Sequence, residues 1–243
     1  MMLLKTFFAL CVALLVSGAP TEEQLEKRQR AAVITRCTVP NTAALTFDDG
    51  PYWYIYDLSR LLKANNATGT FFFNGNNYGC IYSEDNVKRV RYAYNQGHQI
   101  ASHTWGHRDL TTLTWDQMAL RRITGAVPAF MRPPYGNYNN LVLDASGIRK
   151  QSVVIWDFDS GDSVGVSPAN QKTRYTQLAN RRPSTILALN HEVHASTVFD
   201  VMPHAINQLR AKGYRLVSVA ECLGRAPYQS VGSPEARTSA WTC

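Results

Sequence analysis

Short apolar, β-branched or aromatic runs recur along this chain, and most are separated by helical patterns rather than by tight turns. The runs cover 43–47, 69–73, 99–102, 130–132, 153–158, 186–189 and 216–219. Between them, Leu58, Leu61 and Leu62 mark one amphipathic helix. Val198, Met202, Ile206 and Leu209 mark another, ended by Gly213. Strands alternating with helices predict an α/β fold on a parallel sheet. At 243 residues, an incomplete barrel and an open doubly wound sheet both satisfy this rhythm. The 45% hydrophobic content supplies a core and excludes a disordered chain. No internal repeat, low-complexity stretch or interdomain linker interrupts the pattern.

The polar residues share an address. Asp48 and Asp49 end the first run, His103 the third, Arg132 the fourth, Asp159 and Asp162 the fifth, and His191 the sixth. In parallel α/β folds the loops at the carboxyl ends of the strands converge on one site. Residues scattered over the chain therefore become one constellation.

That constellation suits metal-assisted hydrolysis. His103 and His107 have the i,i+4 spacing that sets two imidazoles on one helical face. Two histidines and a carboxylate can hold zinc and leave a position for water. Of the two adjacent carboxylates at 48 and 49, one can ligate while the other takes a proton from the water. His191 can protonate a leaving group, and His194 lies close enough to compete for that role. His98 and His204 read as structural. The Pro133-Pro134-Tyr135-Gly136 loop can turn a backbone N–H toward an oxyanion.

The two ends of the chain speak to destination. Lys5, the apolar run 7–16 and Ser17-Gly18-Ala19 read as a signal peptide over 1–19. The run is too short to span a bilayer, which takes ~20 residues. Glu22, Glu23 and Glu26 precede a dibasic Lys27-Arg28, so 20–28 reads as a propeptide and 29–243 as the catalytic domain. The chain is thus expected to be secreted, to the extracellular space or the cell wall, with no membrane anchor. Removing the signal takes Cys11 and leaves Cys37, Cys80, Cys222 and Cys243. An even count in an exported chain predicts two disulfides in one of three pairings. Asn66-Ala67-Thr68 is a glycosylation sequon. The net charge is +7. No cluster of Lys and Arg interleaved with aromatics accompanies it, so nucleic acid is not the expected partner.

Five segments then appear in a family's order: Thr46-Phe47-Asp48-Asp49-Gly50-Pro51, Ser102-His103-Thr104-Trp105-Gly106-His107, Arg132-Pro133-Pro134-Tyr135-Gly136, Asp159-Ser160-Gly161-Asp162 and Leu187-Ala188-Leu189-Asn190-His191. They resemble the five motifs of the NodB-like polysaccharide deacetylases, carbohydrate esterase family 4, over nearly all of 35–243. The overall look, including the signal and the compact single domain, is similar to that of the fungal chitin deacetylases. The resemblance implies a distorted (β/α) barrel with about seven parallel strands. It implies Asp49, His103 and His107 as ligands of a divalent metal, Zn²⁺ first and Co²⁺ second. Asp48 would be the general base and His191 the general acid. Arg132 would hold Asp48, Asp162 would orient His191, and the Tyr135 N–H would face the oxyanion. It also implies Cys37–Cys222, which leaves Cys80 with Cys243. The substrate implied is chitin or chitooligosaccharide, handled by a monomer that releases acetate from GlcNAc units.

Two departures from the family pattern stand out. Ser163 follows the fourth motif where an aromatic is common, a change expected to alter either the wall of the acetate pocket or the tuning of His191. The stretch from His107 to Arg132, including Trp115-Asp116-Gln117-Met118, looks short by about two helical turns, or ~7 residues. Lower stability with intact motifs is expected from it. Acetylxylan and peptidoglycan remain alternative polymers. A weakly active chitin-binding wall protein is the alternative of another class. Trp53, Tyr54, Tyr56, Tyr78 and Tyr82 could stack on sugars in either case.

Overall fold

The computed structural model describes residues 30–112 and 120–243. The strands are β1 (Val33–Ile34), β2 (Thr42–Asp48), β3 (Thr70–Phe73), β4 (Gln99–Ser102), β5 (Ala126–Pro128), β6 (Phe130–Met131), β7 (Ser152–Val154), β8 (Phe158–Asp159), β9 (Thr185–His191), β10 (Arg215–Val217) and β11 (Tyr228–Val231). The helices are α1 (Ile55–Ala64), α2 (Glu84–Asn95), α3 (Leu120–Thr124), α4 (Asn140–Ile148), α5 (Pro168–Arg181), α6 (Met202–Ala211) and α7 (Val219–Cys222). The expected signal and propeptide segments, and Trp115–Met118 of the short stretch, lie outside the described residues. Among the described residues no helix is long and apolar enough to cross a membrane.

Nine strands form one parallel sheet in the order β1-β7-β6-β4-β3-β2-β9-β8, with β10 also on β2. The two longest strands lie side by side, from Thr42 opposite Thr185 to Asp48 opposite His191. All seven residues of β2 are buried, as a parallel strand covered on both faces should be. Alternate side chains then go to opposite faces. Ala43, Leu45, Phe47, Phe71 and Phe73 join the outer core under the helices. Ala44, Phe72, Ala101, Phe130, Val154, Leu187 and Val217, one from each of seven strands, form the inner core of a barrel. This is the distorted barrel that the motifs implied.

The strand count differs from the expectation in an instructive place. The run 153–158 is two strands, because β7 pairs with β1 and β6 while β8 pairs with β9. Those partners lie at opposite ends of the sheet, so residues 155–157 carry the chain across the gap in the barrel. The backbone changes partners over this crossing: the Ile155 N–H still donates to the Ile34 carbonyl and the Asp157 N–H already donates to that of Leu187. The Val154 and Ile155 carbonyls accept from the Arg132 guanidinium. Asp157 Oδ1 accepts the Leu187 N–H at 2.7 Å. An antiparallel pair, β5 with β11, lies apart from the barrel.

Helix starts follow the sequence closely. Ser83, Asn139, Ser167 and Ser218 each accept a backbone N–H of the first turn through the side chain. At the amino end of the barrel Cys37 is bonded to Cys222, and Thr38 and Val39 donate to the Cys222 carbonyl. Cys80 is bonded to Cys243.

Candidate active site

β2 and β9 end level with each other, which places Asp48 beside His191 at the carboxyl end of the barrel. β4 ends at Ser102, one residue before His103, and β6 at Met131, one residue before Arg132. The strand-end rule therefore locates four of the predicted residues directly.

Arg132 is fully buried inside the barrel. Its Nη1 donates to Asp48 Oδ1 at 2.8 Å and to Thr46 Oγ1 at 2.6 Å. Nε and Nη2 donate to Val154 and Ile155. The guanidinium also stacks over Phe72, 4.3 Å from the ring centre. Asp48 is thereby fixed in place, with its second oxygen directed toward His103 Nε2, 3.6 Å away.

Asp49 lies in the left-handed region, at φ 74°, and its carboxylate, like that of Asp48, reaches toward His103 Nε2. Its Oδ1 stands 3.1 Å from His107 Nε2 and 3.5 Å from His103 Nε2. Asp49, His103 and His107 each offer one ligand atom, all within 4.8 Å of one another. His103 Nδ1 is 2.7 Å from the Arg132 carbonyl oxygen. That oxygen can only accept, so the proton sits on Nδ1 and the Nε2 lone pair faces Asp49. The buried Asp49 Oδ1 has no hydrogen-bond partner of good geometry. Three lone-pair donors converging on one point, one of them buried and unsatisfied, fit a divalent cation. Burial lowers the basicity of His103, which favours the neutral imidazole that a metal site requires. Burial alone would raise the Asp49 carboxyl, but His107, His103 and His191 outweigh it and hold the group below the usual range.

The two imidazoles do not share a helix. Residues 103–109 form a loop, with Thr104 at φ 71° and His107 at φ 51°. The i,i+4 spacing brings them together because a left-handed residue at 104 and another at 107 fold the loop back on itself. The His107 and Tyr135 rings meet edge-on at 4.9 Å. Tyr135 is also left-handed, at φ 60°.

His191 Nδ1 is 2.8 Å from Asp162 Oδ1. Asp162 Oδ2 accepts the His191 N–H at 2.7 Å and the Thr197 hydroxyl at 2.8 Å. Burial alone would depress the imidazole. Asp162 overcomes it, with help from Asp48 and Asp49, and lifts His191 to about 9. At neutral pH His191 is therefore a proton donor. The His194 ring lies 6.1 Å from that of His191, and its backbone N–H donates to the His191 carbonyl at 3.4 Å.

Three residues that the pattern did not single out complete the site. Asn74 follows β3 and donates through its amide to the His103 carbonyl, and to Thr104 at 3.4 Å. The strand-end rule applied to β3 finds it. Thr197 braces Asp162. Glu192 is fully buried, accepts the Tyr52 N–H at 3.0 Å, and is pushed by burial up to about 8. It fills the space where a Cβ on Gly50 would sit, so the Asp49-Gly50 turn needs glycine. Among the aromatics, Trp53 and Tyr78 are exposed, Tyr54 and Tyr56 pack partly on the core, and Tyr82 is buried. Tyr82 is therefore not a sugar-stacking surface. Ser163 is exposed.

Residues 35–149 match the family model of polysaccharide deacetylases. Over 234 residues the chain is 41% identical to a chitin deacetylase of Pestalotiopsis sp., covering 88% of this chain and 76% of that one. It is 32% identical over 189 residues to a peptidoglycan-N-acetylglucosamine deacetylase of Bacillus cereus, covering 72% and 66%. The solved chitin deacetylase of Colletotrichum lindemuthianum superposes with a TM-score of 0.77 at 33% identity, covering 84% of this chain and 96% of that one.

Proposed function

The chain belongs to the polysaccharide deacetylase family, hydrolases acting on amide bonds, and on that footing we propose that it removes N-acetyl groups from the GlcNAc units of chitin or chitooligosaccharides. The observation that carries this reading is the meeting of Asp48, Asp49, His103, His107 and a proton-bearing His191 at one barrel mouth. The choice of chitin rests on the Pestalotiopsis and Colletotrichum relatives, which match over most of their length.

Asp49, His103 and His107 hold a divalent cation, most simply Zn²⁺, with Co²⁺ as the second choice. When bound, such an ion acidifies water and polarises the acetyl carbonyl. Asp48, fixed by Arg132, takes a proton from the attacking water. The Tyr135 N–H donates to the carbonyl oxygen as charge grows on it. His191, oriented by Asp162, passes its proton to the amide nitrogen as the C–N bond breaks. Acetate leaves, and the sugar keeps a free amine.

Two disulfides suit an oxidising compartment. They accord with secretion to the extracellular space or wall, with 1–19 as signal and 20–28 as propeptide. Asn66 is exposed in the turn after α1, where a glycan can be accepted.

Acetate release from chitin oligomers, acetylxylan and peptidoglycan fragments tests the proposal. It is run after chelation and again after zinc or cobalt is restored. Chitin oligomers should be the best substrate and chelation should abolish turnover. Asp48→Asn should lose turnover but keep metal, and His103→Ala should lose both. Full activity in protein shown to be metal-free would refute the metal's role. Preference for acetylxylan or peptidoglycan would reassign the polymer.

A further inference from the structure

The loop carrying His103 and His107 is poorly suited to hold its own shape. Thr104 and His107 are left-handed, which side-chain-bearing residues adopt only at a cost, most of all a β-branched one. Such a loop keeps its shape only if its surroundings over-determine it.

The surroundings are the segment after β3. Gly75 donates its N–H to the Thr104 carbonyl at 3.1 Å, and Asn76 to the Trp105 carbonyl at 2.7 Å. The Trp105 ring lies where a Cβ on Gly75 would be. This segment is itself a loop: Asn76 bridges to Cys80, and Ile81 donates back to the Gly75 carbonyl at 2.7 Å. What pins it comes from far along the chain. Cys243 is bonded to Cys80, and its sulfur lies 3.6 Å from the Gly75 carbonyl oxygen. Trp241 is buried and packs on Tyr82 at 5.2 Å, and Tyr82 packs on Trp105 at 5.9 Å. Covalent and aromatic contacts thus run from Trp241 and Cys243 to the peptides between the two histidine ligands.

We infer that Trp241 and Cys243 are positioning residues for the metal-ligand loop, and that the Cys80–Cys243 disulfide makes metal retention sensitive to reduction. The inference rests on Asp49, His103 and His107 being the metal site. The second disulfide provides the contrast. Cys37–Cys222 closes the opposite, amino end of the barrel and touches no part of this loop, so it supports the fold without supporting the ligands.

The test measures zinc affinity by chelator competition on the purified full chain. It is paired with hydrogen exchange at the Gly75 and Asn76 amides in zinc-free protein. Cys80→Ser/Cys243→Ser and Trp241→Ala should each bind zinc about tenfold more weakly, the low end of the range for lost outer supports of a metal site. Both should exchange faster at the two amides. Trp241→Phe should restore both readouts. Cys37→Ser/Cys222→Ser should melt earlier yet keep its zinc affinity. Unchanged affinity and exchange in both clamp variants would overturn the inference alone. Equal weakening in the Cys37/Cys222 control would do the same, because the effect would then be global. If the parent chain binds no zinc, the metal-site reading falls and this inference falls with it.

Discussion

Replacing Arg132 by Met keeps roughly the side-chain bulk inside the barrel and removes every polar contact the guanidinium makes. Asp48 then loses its 2.8 Å partner while remaining buried. Breaking one side of a buried ion pair costs about 3–5 kcal/mol, because the surviving charge has no compensation. The Val154 and Ile155 carbonyls lose their donors as well, at ~1 kcal/mol or more each. For a domain of this size each kcal/mol moves Tm by about 2–4 °C. Arg132→Met should therefore lower Tm by roughly 10–30 °C on that scale. Most of the loss is the stranded charge, so Arg132→Met/Asp48→Asn should recover about 2 kcal/mol or more of it. Melts in chelator remove any contribution from metal, and the four proteins close a double-mutant cycle. If the double variant is as unstable as the two single losses added together, Asp48 and Arg132 are not coupled. The account of Arg132 as the anchor of the general base would then be wrong.

Other groups give separate tests. His98 bridges the Ser59 hydroxyl and the Gly69 N–H, and burial depresses it from 6.5 to about 4. Its contribution is whole above pH 6.5 and is lost as pH falls toward 4, up to about 3 kcal/mol at 1.36 per unit. His98→Gln should flatten the acid limb of urea midpoints against pH; an unchanged slope would refute this. Asp162→Asn should lower the His191 pKa, because burial is then less opposed. With His191 as the proposed general acid, the alkaline limb of kcat/KM should move to lower pH, and a fixed limb would count against that role. Gly50→Ala should be destabilising, because the new Cβ meets the Glu192 carboxyl. Glu192→Gln should be tolerated and should gain stability relative to the parent as pH rises from 4.5 toward about 8, where the parent must ionise a buried acid. Urea midpoints at the two ends of that range measure both.

How much of this was legible depends on where the deciding contact lies. Asp48, His103, Arg132 and His191 could be read because each ends or follows a run whose apolar pattern marks the strand, and parallel strands deliver their ends to one place. The split of 153–158 could not, because every residue up to Trp156 is as apolar as a strand requires. What divides it is the destination of two carbonyls, taken by a guanidinium more than twenty residues earlier in the chain. Side-chain type records burial, whereas backbone partners leave no trace in it. The cysteines allowed three pairings from count alone; resemblance selected one, and the structure holds those two bonds. Tyr82 read as a surface aromatic because Trp241, which covers it, is far away in sequence. The pair His103 and His107, proposed as metal ligands, is the sharpest case. Their spacing suggested a helical face, yet the residues between them make a left-handed turn. Four residues are enough for two imidazoles to meet either way, so the spacing specifies proximity and says nothing of the backbone that produces it. The backbone is instead decided by Gly75, Asn76 and Asn74 from the neighbouring strand end. A ligand motif can thus be read locally, while the rigidity that makes it bind is supplied from elsewhere in the chain.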